Sequence, residues 1–207
     1  MSTNLSSTRL TDRKRAAIVN AAIEEFIASG FEATSMDRIA ARADVSKRTV
    51  YNHFPSKEAL FAEILHALWN ASRVDDAAVY HADQPLHDQL LELVLRKLHA
   101  LNDENAMALA RVAIAAGIHS PERARETVAR LSEREEDVTI WIRAAAADKR
   151  LDVKDPLFAA QQLHGLVKIF AFWPQVSMGQ PPLNKREQKK VATSAVDMFL
   201  ARYALTR

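Results

Sequence analysis

Hydrophobic residues recur along this chain at helical spacing and almost nowhere alternate with polar residues as they would in a strand. The pattern predicts a first helix over 11–29, with Ile18 and Phe26 on its inward face. Gly30 follows, and we expect it to end this helix in a Schellman motif that folds Phe31 back onto Phe26. The chain therefore begins with a scaffold helix that a glycine terminates.

Two short amphipathic helices joined by a tight turn are predicted within 34–54, TSMDRIAARADVSKRTVYNHF. Thr34 is predicted to cap the first of them, with Asp37 three residues later completing a capping box. Asp44 lies where the turn needs a left-handed residue, and Ser46 supplies the next N-cap. This arrangement is typical of a helix-turn-helix element.

The second short helix has one apolar and one polar face. Val50 and Phe54, four residues apart, face the first helix, so the opposite face is centred on Arg48 and Asn52. In a major groove, Arg pairs with guanine edges and Asn with adenine edges, while hydroxyl groups bind phosphates. The pattern indicates a DNA-reading helix, and an ordinary solvated polar face is the alternative.

The stretch from residue 16 to about residue 65, which includes GFEATSMDRIAARADVSKRTVYNHFPSKEALF, resembles the TetR family of transcriptional regulators. Asp44 and Arg48 depart from the family pattern, which often has glycine at these two positions. The resemblance implies a DNA-binding domain, residues 1–56, followed by a ligand-binding and dimerisation domain, residues 57–207.

A DNA contact surface follows from the motif and the resemblance together. Lys57 opposes the dipole of the next helix unless a phosphate lies there, and Glu58 is the alternative partner. We expect Tyr51 to bind phosphate as well, while Ser35 presents the start of its helix to the DNA backbone. The predicted DNA-binding residues are Thr34, Ser35, Ser46, Lys47, Arg48, Thr49, Tyr51, Asn52, His53 and Lys57.

Beyond these elements the periodicity predicts only helices. They cover 57–73, 86–101, 104–117, 121–149, 156–177 and 185–205. Asp155 with Pro156, and Asn184 with Glu187, form recognisable helix starts. The predicted fold is all-α with about nine helices, an N-terminal three-helix helix-turn-helix domain and a C-terminal helical domain.

The last two predicted helices carry apolar residues over a wider arc than one neighbouring helix can cover. A second subunit is the expected cover, and the resemblance implies a homodimer in which these helices form a four-helix bundle. Gly165 is a candidate crossing point. The predicted dimer residues are Leu163, Val167, Phe170, Val191, Ala195, Met198, Phe199 and Arg202.

The resemblance also implies an effector site among the C-terminal helices. The predicted lining residues are Trp69, Trp141, His164, Phe170 and Trp173, which suit a partly apolar small molecule. A place in the hydrophobic core is the alternative for each aromatic residue. The segment LHGLVKIFAFWP is similar to the C-terminal half of AefR-like members of the family, a similarity that names no ligand.

Composition and charge fit this interpretation. The chain has 207 residues, 48% of them hydrophobic, and it contains no cysteine, which excludes disulfides, thiol nucleophiles and cysteine metal sites. Its net charge of +2 is unevenly distributed, because the first 57 residues hold nine Lys or Arg and six Asp or Glu. Positive charge therefore concentrates where the DNA contact is predicted.

Catalytic chemistry is not indicated. Glu63 and His66 have the Glu-x-x-His spacing of helical di-iron proteins, but that site needs a second copy, which the seven histidines do not provide. We predict no enzymatic activity, no metal and no cofactor. A helical dimer with an enzymatic or structural role is the alternative.

The expected location is the cytoplasm, without a membrane partner. The N-terminus lacks the apolar segment of a signal peptide, and no apolar stretch of about 18 residues occurs. The sequence thus predicts a cytoplasmic TetR-type repressor that binds a palindromic operator in double-stranded DNA as a dimer. We expect a small-molecule effector to release it.

Overall fold

The computed structural model describes residues 3–71, 79–122, 124–125, 129 and 137–205. Within these residues the regular elements are helices, together with a single antiparallel bridge between Leu151 and Ala204. The helices are α1 (Thr3–Ala33), α2 (Met36–Arg42), α3 (Lys47–His53), α4 (Lys57–Ala71), α5 (Leu86–Ala100), α6 (Glu104–His119), α7 (Asp137–Ala147), α8 (Pro156–Ala171), α9 (Trp173–Ser177) and α10 (Lys185–Tyr203). The predicted all-α fold class is confirmed.

Contacts divide the chain into two compact units. The first comprises Met1–Trp69 and Ala108–Leu131, and the second comprises Asn70–Met107 and Ser132–Arg207. Helices α4 and α6 therefore contribute residues to both units. The predicted functional boundary after residue 56 is a different division, and it stays a prediction.

The core of the first unit is built on α1. Ile18 and Phe26 are completely buried, as their spacing predicts, and the Phe31 ring stacks on Phe26 with centroids 5.6 Å apart. Gly30 between them has φ 78° and ψ 170°. This backbone geometry is accessible essentially to glycine alone, but its ψ differs from that of a left-handed helical residue. The predicted Schellman geometry is therefore wrong, although the positive φ is confirmed.

Three predicted helices differ from the observed ones. Residues 123, 126–128 and 130–136 of the predicted helix over 121–149 lie outside the described residues, and α7 is the last part of that prediction. Helix α1 begins at Thr3 instead of residue 11, and it continues for a short turn beyond the kink at Gly30. The predicted helix over 156–177 divides at Phe172 into α8 and α9. Pro174 has no amide hydrogen to continue the hydrogen-bond ladder, so the chain starts a new helix there.

The core of the second unit lies among α5, α7, α8 and α10. Its largest completely buried side chains are Trp141, Leu90, Leu98, Ile142 and Leu163. The predicted helix starts are confirmed, because Asp155 accepts a hydrogen bond from the Phe158 amide and Asn184 forms a capping box with Glu187. These caps determine where the last two long helices begin.

The segment before α5 is attached to the second unit by side chains. Gln89, which is buried, accepts hydrogen bonds from the His81 amide at 2.9 Å and from Trp141 Nε1 at 3.2 Å. The Tyr80 hydroxyl donates to Asp148 Oδ2 at 2.5 Å. Burial, and then this hydrogen bond, raises the pKa of Tyr80.

Candidate nucleic-acid interface

The N-cap of α2 is Ser35. Its backbone is extended, and its hydroxyl oxygen accepts a hydrogen bond from the Arg38 amide at 3.3 Å. Thr34 is only 2% exposed, and its hydroxyl donates to the carbonyls of Gly30 at 2.8 Å and Glu25 at 3.1 Å. The prediction that Thr34 caps α2 is wrong, because that side chain turns back into the end of α1. Ser35 therefore forms the exposed start of α2.

The turn between α2 and α3 has the predicted geometry. Asp44 adopts φ 52°, and Ser46 caps α3 by accepting a hydrogen bond from the Thr49 amide at 3.1 Å. Val50 and Phe54 are almost completely buried, at 0% and 1% exposure. Because these two residues hold one face of α3 against the core, the opposite face points outward.

The outward face of α3 is polar. Lys47, Arg48, Tyr51 and Asn52 are exposed, whereas Thr49 and His53 are half-buried. Arg48 and Asn52 lie one helical turn apart, so their side chains project from the same side of α3. The Thr49 hydroxyl lies 2.8 Å from that of Ser46, which ties both hydroxyl groups to the helix start.

An ion pair joins α2 to α3. Lys47 Nζ lies 2.8 Å and 3.0 Å from the two carboxylate oxygens of Asp37, and both side chains are about three-fifths exposed. The hydrogen bond from Lys47 to Asp37, reinforced by the charge of Asp37, raises the pKa of Lys47. The predicted capping role of Asp37 is wrong, because its carboxylate faces α3 instead. Such exposed pairs contribute little to stability and open readily.

A buried carboxylate joins α1 to α2. Arg42 Nε donates to Glu25 Oε1 at 2.7 Å, and another Arg42 nitrogen donates to Glu24 Oε2 at 2.8 Å. These acidic partners raise the pKa of Arg42, with the hydrogen bond to Glu25 as the largest cause. Arg38 also lies 2.8 Å from Glu25 Oε2, within ion-pair distance but off the direction of a hydrogen bond.

The cluster of Glu25 with Arg38 and Arg42 was not predicted from the sequence. Glu25 lies seven residues after Ile18 and three after Ala22, on the inward face of the first helix. An acidic residue at a core position of a helix predicts a basic partner nearby, because a buried charge needs one. That signal was present in the sequence.

Lys57 has partners within the protein. Its ammonium donates to the carbonyls of Phe31 at 2.7 Å, Thr34 at 2.9 Å and Glu32 at 3.3 Å. It also lies 4.5 Å from the centroid of the Phe31 ring. The Lys57 ammonium, which was predicted to bind a DNA phosphate, is thus directed at the end of α1. Its contact with phosphate stays a prediction.

The predicted ligand residues lie in different surroundings. Trp141 is 1% exposed and belongs to the core, whereas Phe170 and Trp173 are 56% and 42% exposed. His164 is half-buried on α8, and the side chain of Trp69 lies outside the described residues. The described members of this set therefore differ widely in burial, and their shared effector site stays a prediction.

An open groove of about 490 Å³ lies along α10. It is lined by Arg186, Lys189, Lys190, Thr193, Ser194, Asp197 and Met198. None of the predicted ligand residues lines it.

The predicted dimer residues fall into two groups. Leu163, Val167, Ala195 and Phe199 are buried within the core of the chain's own second unit. Phe170, Met198 and Arg202 are exposed, and Val191 is half-buried. The first group has almost no exposed side-chain surface in the single chain, because neighbouring helices of the same chain cover it. Further exposed apolar residues on α8 and α9 are Leu157, Phe158, Ile169 and Trp173.

Among the described residues, no group of three or more His, Asp or Glu side chains is arranged to hold a metal ion. None of the described helices combines the length and apolarity needed to cross a bilayer. Glu63, from the single Glu-x-x-His motif, forms an ion pair with Arg15.

Two family profiles match this chain. The profile for bacterial regulatory proteins of the tetR family matches residues 18–64, and that for the C-terminal domain of AefR-like transcriptional repressors matches residues 88–205. The uncharacterized HTH-type transcriptional regulator YhgD of Bacillus subtilis is 35% identical over 95 residues. That match covers 44% of this chain and 49% of YhgD, so the chain spans about half of this relative's length.

Solved structures resemble the chain over nearly its whole length. A TetR family transcriptional regulator from Pseudomonas syringae pv. tomato is 53% identical with a TM-score of 0.82, covering 94% of this chain and 99% of that one. The flavonoid-responsive regulator FrrA is 28% identical with a TM-score of 0.74, covering 95% of this chain and 100% of that one. With its N-terminal helix-turn-helix and its AefR-like C-terminal domain, the chain belongs to the TetR family of bacterial transcriptional regulators.

Proposed function

We propose that this regulator is a homodimeric repressor that binds a palindromic operator in double-stranded DNA and leaves it when a small molecule binds. The observation that carries the proposal is the exposed polar face of α3, which is held outward by buried Val50 and Phe54. A helix with one anchored face and one free polar face has the form that a recognition helix needs to enter a major groove. Residues 1–56 are the proposed DNA-binding domain, and the cytoplasm is the proposed place of action.

Arg48 and Asn52 are the proposed base-reading residues. Both side chains are exposed. Within the described residues no hydrogen bond of either side chain is seen, so none has to break before it contacts a base. Arg binds guanine O6 and N7 with two hydrogen bonds, and Asn binds adenine N6 and N7 in the same manner. Tyr51, Lys47 and Ser35 are also exposed and are the proposed phosphate contacts.

A second copy of the chain is the proposed cover for the apolar surface of α8 and α10. Phe170 and Met198 are each more than half exposed in the single chain. A Cβ added to Gly165 would meet no atom within 4 Å, so α8 has open space at its centre where another helix can approach closely. Two recognition helices related by a two-fold axis would meet half-sites about 34 Å apart.

The proposed effector is a partly apolar small molecule bound within residues 57–207. The similarity to FrrA, whose name describes a response to flavonoids, supports this class of ligand. Helix α4 starts with Lys57 and ends at Ala71 among residues of the second unit, so it is the proposed lever. A hundredfold preference of the ligand for the DNA-free state corresponds to about 2.7 kcal/mol of coupling free energy. By linkage, operator DNA must then lower the affinity for the ligand by the same hundredfold factor.

Selection of DNA from a random pool tests the proposal. The purified protein should enrich a palindromic sequence whose half-sites are about one helical turn apart, because a symmetric dimer reads both halves alike. An Arg48→Ala, Asn52→Ala double variant is the matched control, since it keeps the buried face of α3. Failure of the wild type to enrich any sequence, or equal enrichment by the double variant, would overturn the proposal.

A further inference from the structure

The connection between α1 and α2 is held by a side chain from α4. Lys57 donates to the carbonyls of Phe31, Glu32 and Thr34, all within 3.3 Å of its ammonium nitrogen. An ammonium group has three N–H donors and no acceptor, so three carbonyls account for its whole hydrogen-bonding capacity.

The position of this cation has a physical reason. The last carbonyls of a helix lack intrahelical partners and carry partial negative charge, which favours a cation beside them. Lys57 fills this role for the end of α1, although it belongs to α4. The charge that is unfavourable at the start of α4 is therefore matched by the end of α1, and no phosphate is needed to explain it.

The ring beneath the ammonium is itself held in place. Phe31 lies against Phe26 and Phe61, with centroids 5.6 Å and 5.0 Å away, and all three rings are buried. A cation over an aromatic face gains further attraction. Lys57 is thus held by three carbonyls and one buried ring.

We propose that Lys57 is a positioning residue for the DNA-reading element and does not bind phosphate. One of its acceptors is the carbonyl of Thr34, the residue directly before the Ser35 N-cap of α2. Through this bond Lys57 sets the position of the exposed start of α2, and α3 is oriented by its packing on α2. To reach a phosphate, the ammonium would have to give up its hydrogen bonds to all three carbonyls.

Lys47 provides the contrast. Among the described residues its ion-pair partner is the Asp37 carboxylate, and its side chain is 60% exposed. Exchanging this partner for a phosphate costs little, because both states leave the ammonium beside an anion at the surface. Of the two lysines, Lys47 has the surroundings of a phosphate contact.

Lys57→Arg and Lys57→Met separate the two roles. Arginine binds phosphate at least as well as lysine, but its planar guanidinium cannot direct three donors to carbonyls grouped around one point. We compare affinity for a duplex that the wild type enriches with affinity for a random duplex. In Lys57→Arg, the loss of affinity should be about tenfold larger for the enriched duplex, and Lys57→Met should show the same difference. Affinity equal to wild type in Lys57→Arg would overturn the proposal.

The salt dependence gives an independent readout. In Lys57→Met, the slope of log affinity against log salt concentration should stay unchanged, while a lost phosphate contact lowers it by about 0.9 per subunit. Lys47→Met is measured beside it as the matched substitution of an exposed lysine. A slope lowered by that amount in Lys57→Met would overturn the proposal.

Hydrogen exchange tests the same bond without DNA. Amides of residues 31–38 should exchange about tenfold faster in both Lys57 variants, because the carbonyl anchor of this connection is gone. Unchanged exchange there would overturn the proposal. The inference rests on the DNA contact proposed above, but the exchange measurement needs no DNA. If the wild type selects no DNA and the Lys57 variants still exchange faster, only the proposed function is contradicted.

Discussion

The Nε atom of Arg42 lies 2.7 Å from the Oε1 atom of Glu25, and this ion pair joins α2 to α1 across the helix-turn-helix unit. The Glu25 side chain is only 4% exposed, whereas that of Arg42 is 43% exposed. A buried carboxylate depends on its partners far more than a surface one does, because water cannot replace them. The orientation of α2 on α1 therefore depends on a charge as well as on apolar packing.

Glu25→Gln should destabilise the protein by about 1–3 kcal/mol, since Arg42 loses its charged acceptor at a buried position and Arg38 loses its ion-pair partner. Glu24→Gln is the matched control. Glu24 bonds the same Arg42, but its side chain is 61% exposed, so we expect less than about 1 kcal/mol. Urea unfolding followed by circular dichroism measures both. Equal losses in the two variants would contradict the role assigned to burial.

Arg48→Ala should relax the sequence preference of the protein. Losing a bidentate base contact costs about 1–3 kcal/mol per subunit on the preferred duplex and much less on random DNA. Fluorescence anisotropy with both duplexes at one salt concentration measures the ratio. If both duplexes lose affinity alike, Arg48 contacts the DNA backbone and not a base.

Gly30→Ala should destabilise the protein through its backbone alone. A new Cβ would meet no atom within 4 Å, but φ 78° and ψ 170° cost a residue with a side chain about 1–3 kcal/mol. Gly165→Ala has the same open surroundings within the single chain without a positive φ. Both glycine variants are made in the Phe170→Glu background, which lacks the proposed dimer contact, and there Gly165→Ala should be neutral or stabilising by up to about 1 kcal/mol. Both are compared by urea unfolding at one protein concentration. An equal effect in the two variants would refute the argument from φ.

Phe170→Glu should convert the protein from dimer to monomer. The Phe170 side chain is 56% exposed in the single chain, and a charge there would be buried without a partner in a dimer. Ile118→Glu is the control, because Ile118 on α6 is 72% exposed and lies outside the proposed interface. Light scattering coupled to size-exclusion chromatography gives the mass. A dimer that persists in Phe170→Glu places the interface elsewhere.

Tyr80 should ionise only above its ordinary pKa of about 10, because burial and the Asp148 hydrogen bond both raise the pKa. The difference between the wild-type and Tyr80→Phe absorbance titrations at 295 nm isolates this phenol. Since the folded-state pKa lies above the unfolded one, the stability that neutral Tyr80 contributes is complete below about pH 10 and is lost as pH rises through the folded-state pKa.

Asp148→Ala separates the two causes of this shift, because alanine has no atom that can accept the Tyr80 hydrogen bond. It should lower the Tyr80 midpoint only in part, because burial is the larger cause and remains in the variant. A midpoint that returns to about 10 would show that the hydrogen bond dominates instead.

The sequence by itself determined the features that depend on near neighbours in the chain. The helical class, the caps Ser46, Asp155 and Asn184, and the positive φ of Asp44 agree with the structure. The same holds for the buried and polar faces of α3. Caps, turns and faces are set by residues within about one helical turn, so a linear pattern contains the necessary information.

Only the tertiary structure decided what depends on distant residues. Two examples are the hydroxyl of Thr34, which turns inward and leaves Ser35 as the N-cap, and the three carbonyl partners of Lys57. The groups that interact there are up to 26 residues apart. The burial of Leu163 and the exposure of Phe170 were likewise decided by which other helices cover each side of α8. A wide apolar face shows that a helix is buried on that side. Which helices pack against it, and which atoms contact it, depends on how the whole chain folds.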